Sequence, residues 1–236
     1  MRKWLLLGCL IASGEGQAAV SLTGTRLVFD GAYREATIDV SNRSQVEVLI
    51  QAWLSDPGNA QATLPFVVTP HLTRIQAQGK QTLRLLYEGL GMPPDRESLL
   101  HLYVLQVPRR SEASQQLSIA IRQRINVFYR PQGLQGDPSQ AAQTLAWQVH
   151  GGALKVSNPT SFHVALQNIA LDGVELGDDL LLAPGSSGSF VLRGKRQGAL
   201  GFTALTDYGG QRHYCAPLTG AGSVRATLQI SSTGKC

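Results

Sequence analysis

The chain has 236 residues, 43 % of them hydrophobic and 16 % charged, with a net charge of +5. That length holds one large or two ordinary domains, and that composition excludes a disordered or low-complexity protein. The basic residues are scattered rather than gathered with aromatics, so a nucleic-acid surface is excluded as well.

The first segment, MRKWLLLGCLIASGEGQA, has Arg2 and Lys3 ahead of an apolar run from Trp4 to Ala12 and ends in a small-x-small site, Gly16-Gln17-Ala18. It reads as a secretory signal over residues 1–18, cleaved after Ala18, and its apolar run is too short to span a bilayer. Removing Arg2, Lys3 and Glu15 from the 21 basic and 16 acidic residues leaves 19 and 15, a mature charge of +4. Cleavage also removes Cys9 and leaves Cys215 and Cys236. An even pair in an oxidising compartment reads as a disulfide, and the spacing matches no zinc motif.

Short alternating apolar segments then follow one another: VSLTGTRLVF, EATIDVS, VEVLIQAW, LPFVV, QTLRLLY and LLHLYVLQV, separated by turn signals such as Ser55-Asp56-Pro57-Gly58. After the polar tract PRRSEASQQ comes LSIAIRQRINVFY, Leu117 to Tyr129, in which only Gln123 breaks the odd-numbered apolar series. This is a period of two, the mark of a strand with one apolar face. At about 3.3 Å per residue it would run roughly 43 Å. The tract RPQGLQGDPSQ reads as a turn or linker. A second series follows: TLAWQVH, ALKVS, FHVALQNIA, GSFVLR, GALGFTALT, RHYCA and VRATLQI. No segment keeps a helical period for twelve residues. The architecture expected is all-β: a sandwich over residues 19–132, a linker over 133–140 and a second sandwich over 141–236.

No catalytic constellation stands out. His71, His101, His150, His163 and His213 sit at unrelated spacings, with no HExxH, no GxSxG elbow and no phosphate loop. Asn42-Arg43-Ser44 fits the N-glycosylation pattern, which often occurs by accident. No metal site, cofactor or small-molecule substrate is indicated, and the chain reads as a non-enzymatic binding protein.

Six features in chain order carry a resemblance: AVSLTGTRLVFDG, PPDRESL, the LSIAI strand, FYRP, NPT and DYGG. The chain resembles the periplasmic pilus-assembly chaperones of the chaperone–usher system, the PapD-like family. The resemblance implies two immunoglobulin-like sandwiches set at an angle, as in a boomerang. It also implies a function: binding pilus or fimbrial subunits by donating a β-strand, then delivering them to an outer-membrane usher. Leu117, Ile119 and Ile121 match the donor positions, with the strand from Ile125 onward kept in its own sheet and Arg109–Gln116 as the connection before it.

In that family a cleft Arg and a Lys grip the subunit's terminal carboxylate. Arg26 matches the Arg, whereas the Lys position is Asn126 here, and Arg124 on the same strand face is the candidate to restore the charge. Glu97, Arg130 and Asp207 fall on the family's interdomain charge network. The spacing from Glu97 to Asn126 resembles the shorter-loop group, which serves thicker, rod-like fibres. Family members often pair closely spaced cysteines, and Cys215 and Cys236 depart from that. The competing reading, a fimbrial subunit or adhesin, would place the donor segment at the N-terminus rather than between two sandwiches.

Overall fold

The computed structural model describes residues 20–107, 119–194, 196–219, 222–229 and 236. The first sandwich contains β1 (Val20–Leu22), β2 (Arg26–Asp30), β3 (Glu35–Asn42), β4 (Val48–Ser55), β5 (Phe66–Thr69), β6 (Leu72–Ile75), β7 (Lys80–Tyr87), β8 (Ser98–Val107) and β9 (Ile121–Arg130). Its sheets have the orders β1-β3-β7-β5 and β2-β9-β8-β4-β6. The segment expected as a single first strand is two strands in opposite sheets. β1 pairs antiparallel with β3, the chain crosses at Thr23-Gly24-Thr25, and β2 then pairs parallel with β9. A side chain at Gly24 would stand 3.1 Å from the Arg26 carbonyl oxygen, so the crossover favours a residue without one.

Alternate positions supply the core, including Val40 on β3, Leu83 and Leu85 on β7, Leu102 on β8 and Val127 on β9. Phe29, Phe66, Tyr87 and Tyr129 close one end as an aromatic cluster, with centroids 4.7 Å apart for Phe66–Tyr87 and for Tyr87–Tyr129.

After Arg130 the chain runs through a 3₁₀ turn, Pro138–Gln140, into a four-residue helix, α1 (Ala141–Thr144). Asp137 caps the turn by accepting from the Ser139 N–H at 2.8 Å. The second sandwich holds β10 (Ala146–His150), β11 (Ala153–Ser157), β12 (Val164–Leu171), β13 (Val174–Leu182), β14 (Ser187–Val191), β15 (Gly198–Leu205), β16 (Gln211–Leu218), β17 (Ser223–Val224) and β18 (Thr227–Leu228). The orders are β14-β11-β10-β17 and β13-β12-β15-β16-β18. Trp147 is fully buried at its centre, with its ring centroid 5.1 Å from that of Phe202.

Two strands and the short helix are additions to the sequence reading. β6 is only four residues long, and β13 carries Gly177-Asp178-Asp179, which hides its alternation. β13 lies at a sheet edge beside a register shift in β12, where charge is tolerated and blunts the edge. The expected last strand, VRATLQI, is the pair β17 and β18, which belong to different sheets.

Two asparagines lock equivalent corners. Asn42 at the end of β3 donates through Nδ2 to the carbonyls of Val46, Ile75 and Gln76 and accepts at Oδ1 from the Ser44 N–H. Asn158 after β11 donates to the carbonyls of Phe162, Leu182 and Ala183 and accepts from the Thr160 N–H. Asn42 is therefore a buried structural residue, and its glycosylation pattern is an accident of the Ser44 that bonds it. Cys215 on β16 and Cys236 form a disulfide with Cα atoms 5.7 Å apart. Among the described residues, no helix is long and apolar enough to cross a membrane.

Candidate functional site

The site begins on β9. One side of this strand pairs with β8 along its length, from Ile121 opposite Gln106 to Tyr129 opposite Ser98. The other side pairs with β2 only from Asn126 opposite Arg26 to Arg130 opposite Asp30. The ladder with β8 thus starts four residues earlier than the sequence reading placed it, at Ile121 rather than Ile125. From Ile121 to Ile125 the outer edge has no strand partner among the described residues, although the Gln123 side chain donates to the Val20 carbonyl at 2.9 Å. Such an edge is a template for another strand.

The side chains along this edge divide sharply. Ile125 is 7 % exposed and belongs to the core, whereas Ile121 is 40 % and Ile119 63 % exposed. The same strand parity that buries Ile125 and Val127 turns Ile121 to the same side, beyond the point where the domain has atoms to cover it. Leu117, the third expected donor residue, lies outside the described residues.

The open edge leads to Arg26. Its neighbour in register is Asn126, and its guanidinium carbon stands 5.8 Å from the Phe128 ring centroid. Arg26 Nε is buried without a hydrogen-bond partner. Burial pulls the guanidinium below its ordinary pKa, while the negative charges of Asp207 and Glu97 pull it back. Those carboxylates are already engaged by Arg130, so no carboxylate pairs with Arg26 among the described residues. A half-buried cation with an idle donor is suited to an incoming carboxylate.

Arg26 borders a cavity of about 190 Å³ between the sandwiches, whose walls include Phe128, Ala142, His163, Leu205 and Arg212. Arg124 is exposed, faces Tyr103 across the ladder and borders neither this cavity nor the wider cleft beside it. Its charge instead acts on His101, whose pKa is lowered by burial first and by Arg124 second.

A charge network spans the two sandwiches at the same place. Arg130 donates through Nε and Nη2 to Glu97 Oε1 at 3.0 and 2.8 Å, and through Nη1 to Asp207 Oδ2 at 2.9 Å. Desolvation lowers the Arg130 pKa, but the two carboxylates more than offset it and the net shift is upward. Glu97 is also tied to the second sandwich: its N–H donates to the Ser161 carbonyl at 2.9 Å, and its Oε2 accepts from the His163 N–H at 2.7 Å and lies 3.1 Å from His163 Nδ1. One residue of the first domain is thus gripped three ways by the second.

Residues 19–135 match the family described as pili and flagellar-assembly chaperone, PapD N-terminal domain, and residues 140–216 match the pili assembly chaperone PapD, C-terminal domain. The chain belongs to the PapD family of pilus-assembly chaperones. It is 36 % identical over 223 residues to chaperone protein FimB/FhaD of Bordetella pertussis, a match covering 86 % of this chain and 89 % of that one. It is 34 % identical over 225 residues to chaperone protein MrkB of Klebsiella pneumoniae, covering 89 % and 96 %. The crystal structure of the E. coli chaperone DraB superposes with a TM-score of 0.75 at 31 % identity, covering 85 % of this chain and 96 % of that one. A chain of the Salmonella enterica SafA pilin complex with the SafB chaperone gives 0.76 at 27 % identity, covering 87 % and 99 %. The role of this family is a non-enzymatic one.

Two cleft residues of this chaperone were not singled out from the sequence. The His163 side chain is 6 % exposed, with Nδ1 3.1 Å from Glu97 Oε2 and its ring centroid 5.3 Å from that of Phe128. Arg212 reaches the cavity from β16, where its Nη1 lies 3.4 Å from the Ser139 carbonyl. Nothing in their local sequence marks them; the only signal for Arg212 is its place five residues after Asp207 on the returning strand.

Proposed function

We propose that this chaperone captures pilus subunits by adding the open edge of β9 to them as a strand, with Ile119 and Ile121 entering the subunit's apolar groove. Leu117 completes the donor series. The subunit's terminal carboxylate docks on Arg26, with Asn126 beside it as a neutral donor and Arg124 outside the grip. The protein works in the periplasm after removal of residues 1–18 and passes its cargo to an outer-membrane usher.

The observation that carries this reading is the continuity of the surface: two exposed isoleucines on an unpartnered edge run directly toward an unpaired, half-buried arginine. A folded protein leaves such an edge uncovered at the risk of aggregation, which a transient partner removes. A related chaperone solved in complex with a pilin, and another described as periplasmic, support the same assignment. The test is periplasmic co-expression with a pilin from the same organism, then hydrogen exchange on the purified complex. The amides of residues 121–125 should become protected on complex formation. No co-purified pilin, or unchanged exchange along that edge, would refute strand addition.

A further inference from the structure

The cavity beside Arg26 has two chemically different kinds of wall. Arg26 from β2 and Arg212 from β16 border it, one from each sandwich, while Phe128, Ala142, Leu205 and Tyr214 supply apolar wall. The two carboxylates that border it, Glu97 and Asp207, are both engaged by Arg130. Neither Arg26 nor Arg212 has a carboxylate within ion-pair distance among the described residues. The cavity thus presents two guanidiniums without an ion pair beside an apolar wall, Arg212 being held by a long 3.4 Å contact to the Ser139 carbonyl and by the more distant charge of Asp137. At about 190 Å³ it has room for one side chain rather than for a cofactor-sized ligand.

We infer that this cavity is a selectivity pocket for the last residue of the captured chain: Arg26 and Arg212 clamp the free terminal carboxylate from opposite domains, and the terminal side chain, apolar or aromatic, fills the floor. The inference rests on the capture reading above and adds what the site selects. It also accounts for the neutral Asn126. A second cation beside Arg26 on the first domain is unnecessary where Arg212 supplies one from the second. An apolar end residue is favoured because Phe128, Ala142, Val164, Ala204 and Leu205 line the cavity with carbon, and a large apolar side chain buries surface there that a small polar one does not have. An amidated end brings no charge for either guanidinium.

The test uses the mature, full-length chaperone and three labelled peptides of about ten alternating valine and serine residues, enough for one strand. One ends in phenylalanine with a free carboxylate, one in the same residue amidated, and one in serine with a free carboxylate. Anisotropy titration should show the free phenylalanine peptide binding about tenfold more tightly than either of the others. Arg212→Gln should abolish most of the advantage of acid over amide and leave the amide peptide unchanged. Leu205→Trp, which fills the floor, should abolish the preference for phenylalanine over serine. Equal affinity for all three peptides, binding by none, or an Arg212→Gln loss that is the same for acid and amide would overturn the pocket. Ile119→Asp separates the two readings. If strand addition fails but the pocket holds, this variant keeps both the affinities and the end-group preference; if the pocket alone fails, it weakens every peptide and no preference is seen in either protein.

Discussion

Asn42 and Asn158 hold the same station in the two sandwiches: each sits at the end of a strand, donates to three carbonyls of neighbouring segments and is capped by a Ser or Thr two residues on. Replacing either with alanine leaves several buried carbonyls without a donor, each a loss of about 1–3 kcal/mol in full. Asn158→Ala should destabilise the second sandwich by roughly 3 kcal/mol, and Asn42→Ala the first by a similar amount. Urea unfolding followed by tryptophan fluorescence in a Trp53→Phe background, which leaves Trp147 as the reporter, reads the second. When the protein is secreted by a glycosylating host, Asn42 should stay unmodified once folded, which intact mass will show.

Ile119 and Ile125 differ in exposure by a factor of nine, 63 % against 7 %. Ile119→Asp should therefore leave the urea midpoint of the chaperone almost unchanged while eliminating co-purification of the subunit. A carboxylate driven into an apolar groove costs several kcal/mol when unpaired. Ile125→Asp should instead unfold the first sandwich. Loss of stability in the Ile119 variant would return that residue to the core and remove it from capture.

Arg26→Ala should prevent complex formation, with a loss of about 2–5 kcal/mol, as for truncating one partner of a buried charge pair. In the absence of a subunit the same substitution should not lower stability, because the residue has no ion pair to lose and its Nε is already unsatisfied. Asn126→Lys, in register beside it, should keep or improve capture, and Arg124→Ala should have little effect. Pull-down of the subunit with each variant measures all three.

The two arms of the interdomain network should not weigh the same. The Glu97 side chain is 2 % exposed and that of Asp207 is 36 %. Arg130→Ala leaves Glu97 charged and buried and should cost about 3 kcal/mol or more. Asp207→Asn breaks a bridge that water already screens and should cost under about 1 kcal/mol. Urea denaturation of both variants supplies the comparison, and a change in small-angle scattering with Arg130→Ala would report a loosened hinge.

Tyr129 provides the pH test. Burial, and then its hydrogen bond with Tyr87, push its pKa up to about 12. A pKa above the unfolded value of 10.0 means that the folded state holds this proton more tightly. The resulting stability is complete below about pH 10 and is lost as pH rises through 12. The urea midpoint should fall across that interval, and Tyr129→Phe should flatten the fall. Tyrosinate absorbance should show a component ionising near pH 12 that is missing in Tyr129→Phe.

What the sequence made legible depended on whether the signal was local. Ile119, Ile121, Ile125 and Val127 fall on alternate positions broken only at Gln123, so β9 and its apolar side could be read without the fold. Glu97, Arg130 and Asp207 carry no such pattern and were found only through the resemblance; their ion pairs join residues 33 and 77 positions apart. The crossing of the first strand between sheets was missed because Val20 and Leu22 are too short a series to stand alone, and the continuous apolar run Leu27-Val28-Phe29 beyond Gly24 reads as its extension. β13 was hidden by Asp178 and Asp179, charges that an edge strand can carry. His163 and Arg212 could not be found at all, since their meaning comes from a cavity that exists only when two domains meet.

The parallel pairing of β2 with β9 has a consequence for the order of events in the cell. Arg26 finds its strand neighbour at Asn126, and Asp30 at Arg130, about a hundred residues later in synthesis. The first sandwich is therefore not knitted from the leading end forward: its second strand has nowhere to lie until the ninth has arrived. Contacts of such long range are entropically late. A chain threading through a membrane would keep β2 waiting until Arg130 had crossed. Arg26 is set in place by the same event that assembles the open edge of β9, so a half-made chaperone has neither the proposed anchor nor the proposed capture edge.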